Sequence, residues 1–108
     1  MLFRSSEENA LSVARALAAA EADGLASHGL SRLPAYADQA KAGKVDGKAK
    51  PTLTETAPGA LRVDARDGFA FPAIAAGLVK AAEMARKAGT VGVAVGNSHH
   101  FEIGRAHV

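Results

Sequence analysis

Two consecutive histidines, His99 and His100, follow the apolar run Val91–Val95. Such a run predicts a buried strand, and open α/β sheets bind ligands beyond the carboxyl ends of parallel strands. Imidazole titrates near neutral pH and both gives and takes a proton, so the doublet suits general acid–base catalysis. The alternative is a polar strand end without chemistry, and the pattern alone does not separate the two.

A second polar group lies earlier in the chain, where Ser27 and His28 are followed by Arg32 and Tyr36. If Arg32 begins a helix, Tyr36 lies on the same face one turn later. A guanidinium matches the planar shape of a carboxylate, and a phenol can hydrogen-bond beside it. The group is therefore a candidate carboxylate clamp, although an arginine is more often an ordinary surface charge.

Metal and thiol chemistry are not expected. His28, His99 and His100 could converge on an ion, but adjacent residues rarely ligate one metal well and no acidic residue stands at a helical spacing from them. The chain has no cysteine, which excludes disulfides, thiolate zinc sites and cysteine nucleophiles. The cytoplasm is the expected compartment.

The amino-terminal part of the chain is predicted to be helical. Strong helix formers run from Glu7 to Asp23, with serines before them and Gly24 after them, as helix caps require. Ala26–Gly29 predicts a small polar turn. A second, short helix begins near Leu33, because proline is tolerated in a first helical turn.

The rest of the chain predicts a βαβ unit. Gly43–Gly59 is rich in Lys, Gly, Thr and Pro and indicates an extended connection that lies across a partner surface. Leu61–Asp64 alternates as a strand does, the helix Phe71–Ala88 is closed by Gly89, and Val91–Val95 is the second strand. The fold class is α/β, with amino-terminal helices followed by βαβ.

Charge and hydropathy exclude two classes of partner. The 108 residues carry 13 basic and 11 acidic side chains, a net charge of +2. The densest basic run is interrupted by Asp46 and glycines and contains no aromatic residue, so no nucleic-acid partner is expected; it comprises Lys41, Lys44, Lys48 and Lys50. No segment reaches the roughly 18 apolar residues of a membrane span.

The ordered motifs resemble those of the malate/L-lactate dehydrogenase family. They are Ala22–Gly24 leading into Ser27-His28-Gly29, then Arg32-Leu33-Pro34-Ala35-Tyr36, and finally Asn97-Ser98-His99-His100-Phe101. The resemblance runs from about Ser6 to Phe101. It implies a non-Rossmann fold, a homodimer, and NAD- or NADP-dependent hydride transfer at C2 of a 2-oxo or 2-hydroxy acid.

The resemblance also implies roles for single residues. Ser27, Arg32 and Tyr36 would hold the substrate carboxylate, and the acid/base would be His100 as in some members or His28 as in others. Members are roughly three times this length, and most of the cofactor-binding part follows the second motif. We therefore expect a truncated amino-terminal part that is inactive by itself and carries no identifiable cofactor residues.

Two other functions stay open. The family includes reductases of cyclic imines such as piperideine-2-carboxylate, so the parent enzyme could reduce an imino acid. The chain could also be a non-catalytic carboxylate-binding module that folds as a monomer and binds 2-oxo acids without nicotinamide. A fragment would bind neither ligand and would aggregate or stay molten.

Both termini are expected to be foreign to the parent protein. Glu102–Val108 departs from the family pattern after Phe101, and a common sequencing-adapter sequence encodes it. The opposite strand of the same adapter encodes Met1–Ser5. The expected organisation is therefore residues 1–5 and 102–108 as adapter-derived ends around a dehydrogenase segment, residues 6–101.

Overall fold

The computed structural model describes residues 5–100. Of the two ends expected to be foreign, only Ser5 lies within the described residues. The elements, in chain order, are α1 (Glu7–Ala22), α2 (Leu33–Lys41), β1 (Thr52–Ala57), β2 (Ala60–Asp64), α3 (Ala70–Ala88) and β3 (Gly92–Gly96), with 3-10 turns at Ala26–His28 and Leu30–Arg32. Within residues 5–100, no helix is long and apolar enough to cross a bilayer.

The three strands form one sheet in the order β1-β2-β3. β2 and β3 are parallel and α3 connects them, which confirms the predicted α/β class and βαβ unit. The side chain of Val63, on β2, is fully buried under α3. Gly77 allows this close approach, since a Cβ there would lie 3.0 Å from Val63 Cγ2.

The segment from Gly43 to Gly59 corrects one expectation. Its residues Thr52–Ala57 are β1, which pairs antiparallel with β2, so the segment is not a structureless connection. Every β1 side chain is exposed, and the apolar alternation that identifies a half-buried strand is therefore missing. Glu55 instead forms an ion pair with Lys80 of α3 at 3.0 Å.

The first half of the same segment packs on the chain's own α1. Asn9 is 5% exposed, and its Nδ2 donates to the carbonyls of Gly47 at 2.9 Å and Ala49 at 2.8 Å. The backbone N–H of Ser6 also donates to Gly47 O at 2.9 Å. For these residues the expected partner surface is an intramolecular one.

The helix ends agree with the capping residues in the sequence. Ser6 caps α1 by accepting a hydrogen bond from Asn9 N at 3.2 Å. Gly89 caps the carboxyl end of α3, and its φ of 86° is readily adopted only by glycine. α1 and α3 thus lie within one residue of their predicted bounds, and α2 begins at Leu33 as expected.

Candidate functional site

The loop that carries the histidine doublet is laid along the loop that follows β2. The N–H of Ala65 donates to Gly96 O at 3.0 Å, and the N–H of Asp67 donates to Asn97 O at 2.8 Å. Further on, the N–H of His99 donates to Gly68 O at 2.9 Å. These backbone bonds continue the β2–β3 pairing beyond the strands and fix residues 97–99 at the carboxyl end of the sheet.

Left-handed backbone is concentrated at this end of the sheet. Arg66, Asp67 and Asn97 have φ values of 54°, 62° and 51°, and such conformations cluster at functional sites. Asp64 stabilises them because its Oδ1 accepts from Arg66 N at 2.8 Å and from Asn97 Nδ2 at 3.2 Å. These two hydrogen bonds hold the pKa of Asp64 below its ordinary value, and the bond from the backbone N–H of Arg66 has the larger effect.

His99 is enclosed by aromatic rings and an amide. Its half-buried ring meets Tyr36 edge-on, with centroids 5.0 Å apart, and Phe69 at 5.6 Å. Its Nε2 is hydrogen-bonded to Oε1 of Gln39. Burial lowers the pKa of His99, and the neighbouring charge of His100 lowers it further.

Tyr36 connects the predicted carboxylate clamp with the histidine doublet. It is 8% exposed and belongs to a core cluster that also contains Val13, Leu17 and Phe69. The ring contact with His99 joins α2 to the loop after β3. The structure therefore brings together Tyr36 and the doublet, two features 63 positions apart in the sequence.

Ser27, His28 and Arg32 form a local cluster in the turns before α2. Ser27 Oγ is hydrogen-bonded to His28 Nδ1 at 2.9 Å. Arg32 Nε donates to the carbonyl of Ser27 at 2.7 Å, which uses one of the five donors of the guanidinium. Arg32 immediately precedes α2 and stands one turn before Tyr36, as the sequence predicted.

The comparisons with known proteins identify the family. The sequence model of the malate/L-lactate dehydrogenase family matches residues 2–108. The chain belongs to the malate/L-lactate dehydrogenase family. A (2R)-3-sulfolactate dehydrogenase (NADP(+)) of Chromohalobacter salexigens is 57% identical over 95 residues, which are 88% of this chain and 28% of that protein.

Two reductases of cyclic imino acids are also similar. The Delta(1)-pyrroline-2-carboxylate/Delta(1)-piperideine-2-carboxylate reductase of Pseudomonas putida is 45% identical over 89% of this chain and 28% of its own length. The crystal structure of delta1-piperideine-2-carboxylate reductase from Pseudomonas syringae pvar. tomato superposes with a TM-score of 0.86, at 42% identity over 91% of this chain and 30% of that one. The chain thus spans less than a third of these family members.

Three residues around His99 were not predicted from the sequence. Gln39, Phe69 and Gly68 all contact His99, and none was a predicted site residue. Gln39 had a usable signal, since it lies three residues after Tyr36 on the same helix face. Phe69 and Gly68 had none, because their contacts depend on how the loop after β2 meets the loop after β3.

A large groove formed by the described residues lies elsewhere in the fold. It measures about 800 Å³ and runs between α1 and α3, where Leu11, Ile74 and Val79 line it. None of the predicted site residues borders it. This groove is therefore not part of the candidate site.

Proposed function

We propose that the parent protein of this chain is an NAD- or NADP-dependent oxidoreductase that transfers a hydride between nicotinamide and C2 of a 2-hydroxy or 2-oxo acid. Family membership supports the reaction type. The observation that carries the proposal is the ring contact between Tyr36 and His99. This contact joins the segment Arg32–Tyr36 to the histidine doublet. The proposed reaction needs both in one site, because the enzyme must bind the acid and also move its proton.

Each site residue has a proposed role. Ser27, Arg32 and Tyr36 bind and orient the substrate carboxylate, for which a guanidinium is the preferred partner. The imidazolium of His100 or of His28 gives a proton to the oxygen that develops negative charge. Both histidines remain candidates. His100 follows β3 and His28 lies in the turn before α2, so each adjoins one of the two segments that the contact between Tyr36 and His99 joins.

The bound nicotinamide would supply or accept the hydride. The end of β3 offers open space for a flat ring, since a Cβ at Gly96 would meet no atom within 4 Å. The dinucleotide needs more protein than this chain supplies, because relatives are more than three times as long as the matched segment. We propose that the chain alone is inactive.

The substrate has two candidate classes. The 57% identity to a (2R)-3-sulfolactate dehydrogenase favours a 2-hydroxy acid. The likeness to the Pseudomonas syringae reductase, with a TM-score of 0.86, favours a cyclic imino acid as the second candidate. Both substrates carry a carboxylate beside the carbon that receives the hydride, so the same Arg32 clamp serves either.

Assembly and location are part of the same proposal. The parent is proposed to be a cytoplasmic homodimer without nucleic-acid or membrane partners. The near balance of 13 basic and 11 acidic residues supports a small-molecule substrate over a polyanion.

A chimera tests the proposed reaction. Residues 6–101 of this chain replace the matching segment of the Chromohalobacter salexigens enzyme, and absorbance follows NADP(H) or NAD(H) with (2R)-3-sulfolactate, malate, lactate or piperideine-2-carboxylate. We expect turnover of one class, and substituting the true acid/base among His28→Ala and His100→Ala should cost about 10²- to 10⁴-fold in kcat. A folded chimera without turnover of any of these substrates would contradict the proposal. If the isolated chain is instead a monomer that binds 2-oxo acids without nicotinamide, it is a binding module.

A further inference from the structure

His99 is held from four directions. The rings of Tyr36 and Phe69 meet its ring edge-on, Gln39 holds Nε2, and Gly68 O accepts from its backbone N–H at 2.9 Å. Among the described residues of the doublet loop, His99 is therefore the anchor.

The bond to Gln39 also selects one tautomer of His99. An amide oxygen only accepts hydrogen bonds, so Nε2 must carry the hydrogen. Burial of the ring disfavours its charged form, which is consistent with a neutral imidazole. The Nε2–H of His99 is thus engaged by Gln39 and is not offered to a ligand.

His100 follows directly and is exposed. Only two soft backbone dihedrals separate consecutive residues, so anchoring His99 restricts where the His100 ring can lie. A neutral His99 also places no second positive charge beside His100. An imidazolium at His100 would then be the sole cation of the doublet.

We propose that Gln39 and His99 form a positioning pair that orients His100 for proton transfer. Gln39 fixes the ring of His99, His99 fixes the loop, and the loop presents His100 to the substrate. This inference rests on the proposed function and takes His100, one of its two candidate histidines, as the acid/base. His99 and Gln39 touch neither substrate nor cofactor.

The chimera described above tests the pair by a double-mutant cycle in kcat. Gln39→Leu removes the acceptor at similar size, and His99→Phe keeps an aromatic ring but no nitrogen. Each should lower kcat by roughly 10- to 100-fold with little change in the substrate KM, because misplacing a reacting group costs about that much. Asp38→Asn, on the same helix and exposed, is the matched control and should leave kcat unchanged.

Non-additivity is the decisive result. If Gln39 acts through His99, the double variant loses no more kcat than the more damaging of the two single variants. Gln39→Asn, which keeps the amide on a shorter side chain, should recover part of the loss. Free imidazole should restore turnover to His100→Ala but not to Gln39→Leu.

Three results would overturn the proposal. They are multiplicative losses in the double variant, single variants with unchanged kcat, and a loss of kcat fully explained by a smaller folded fraction.

If the unsubstituted chimera folds but has no turnover, the proposed function fails. Imidazole nitrogen NMR of that chimera then tests the pair. A pure Nε2–H tautomer of His99 that Gln39→Leu converts to a mixture supports it, and mixed tautomers in the unsubstituted protein overturn it.

Discussion

The Nε2 atom of His99 is hydrogen-bonded to Oε1 of Gln39, which lies 60 positions earlier in the chain. This bond joins the loop after β3 to α2 and so connects the parallel sheet with the helical core around Tyr36. The motif residues after β3 are therefore fixed by a helix that lies outside the βαβ unit. Any change that moves α2 should move the histidine doublet as well.

The His99 environment predicts a pH dependence of stability. Burial lowers the pKa of His99 in the folded protein below its ordinary value of 6.5. The unfolded chain therefore binds a proton first as the pH falls, and this group's contribution to stability decreases from about pH 6.5 down to the folded pKa. Urea unfolding of the chimera at several pH values should show this decrease.

His99→Phe is the control for that measurement, because it keeps a ring between Tyr36 and Phe69 and removes the titrating group. Its stability should change less between pH 7 and pH 5.5 than that of the unsubstituted protein. An equal pH slope in both proteins would assign the dependence to other groups.

Asn97 predicts a contrast between two substitutions. Its φ of 51° suits glycine but not alanine, and its side chain holds Asp64 Oδ1 at 3.2 Å. Asn97→Gly and Asn97→Ala both remove the amide, but only alanine adds backbone strain, which should make it less stable by about 1 kcal/mol. Thermal unfolding of the two variants checks the difference, and equal stabilities would show that the left-handed backbone at residue 97 has relaxed.

Much of the fold could be predicted from local patterns. α1 follows from helix formers after the cap residue Ser6, and α3 follows from an apolar stripe before the cap residue Gly89. β3 follows from an apolar run, but the expectation that it is a buried strand is wrong for this chain, because four of its five residues are exposed. β1 could not be predicted, because all six of its side chains are exposed and only its pairing with β2 defines it. An edge strand of this kind leaves little hydrophobic signal.

The candidate site was predictable in its motifs but not in its internal contacts. Spacing placed Arg32 and Tyr36 one turn apart, and the resemblance named both histidines. No local pattern indicates that Tyr36 is mostly core, or that His99 packs against it. Such contacts arise from tertiary packing between segments about 60 residues apart.

Gly68 predicts a loss of both stability and activity on substitution. A Cβ there would lie 2.9 Å from Ala65 O and 2.9 Å from Ala49 Cβ, so the loop must move. Because Gly68 O accepts from His99 N, the doublet moves with it. We expect Gly68→Ala to cost about 1–3 kcal/mol in unfolding free energy and to lower kcat of the chimera.

Gly96→Ala is the matched control in the same region. A Cβ at Gly96 meets no atom within 4 Å and its φ is not positive, so its stability should change by only about 0.5 kcal/mol. Urea unfolding measures both variants. If Gly68→Ala is as stable as Gly96→Ala, the contact between the two loops is looser than described.

The outer face of α3 predicts self-association of the isolated chain. Leu78 is 61% exposed and Val79 is 76% exposed, and they border the groove between α1 and α3. Contiguous apolar surface of this kind promotes association in a protein that lacks the partner surface. Val79→Glu should therefore reduce the apparent mass of the 108-residue chain in sedimentation, whereas Ala82→Glu, equally charged and also exposed on α3, should change it less. If both variants and the unsubstituted chain sediment as monomers, the exposed face does not drive association, and the behaviour fits the binding-module alternative better than a fragment.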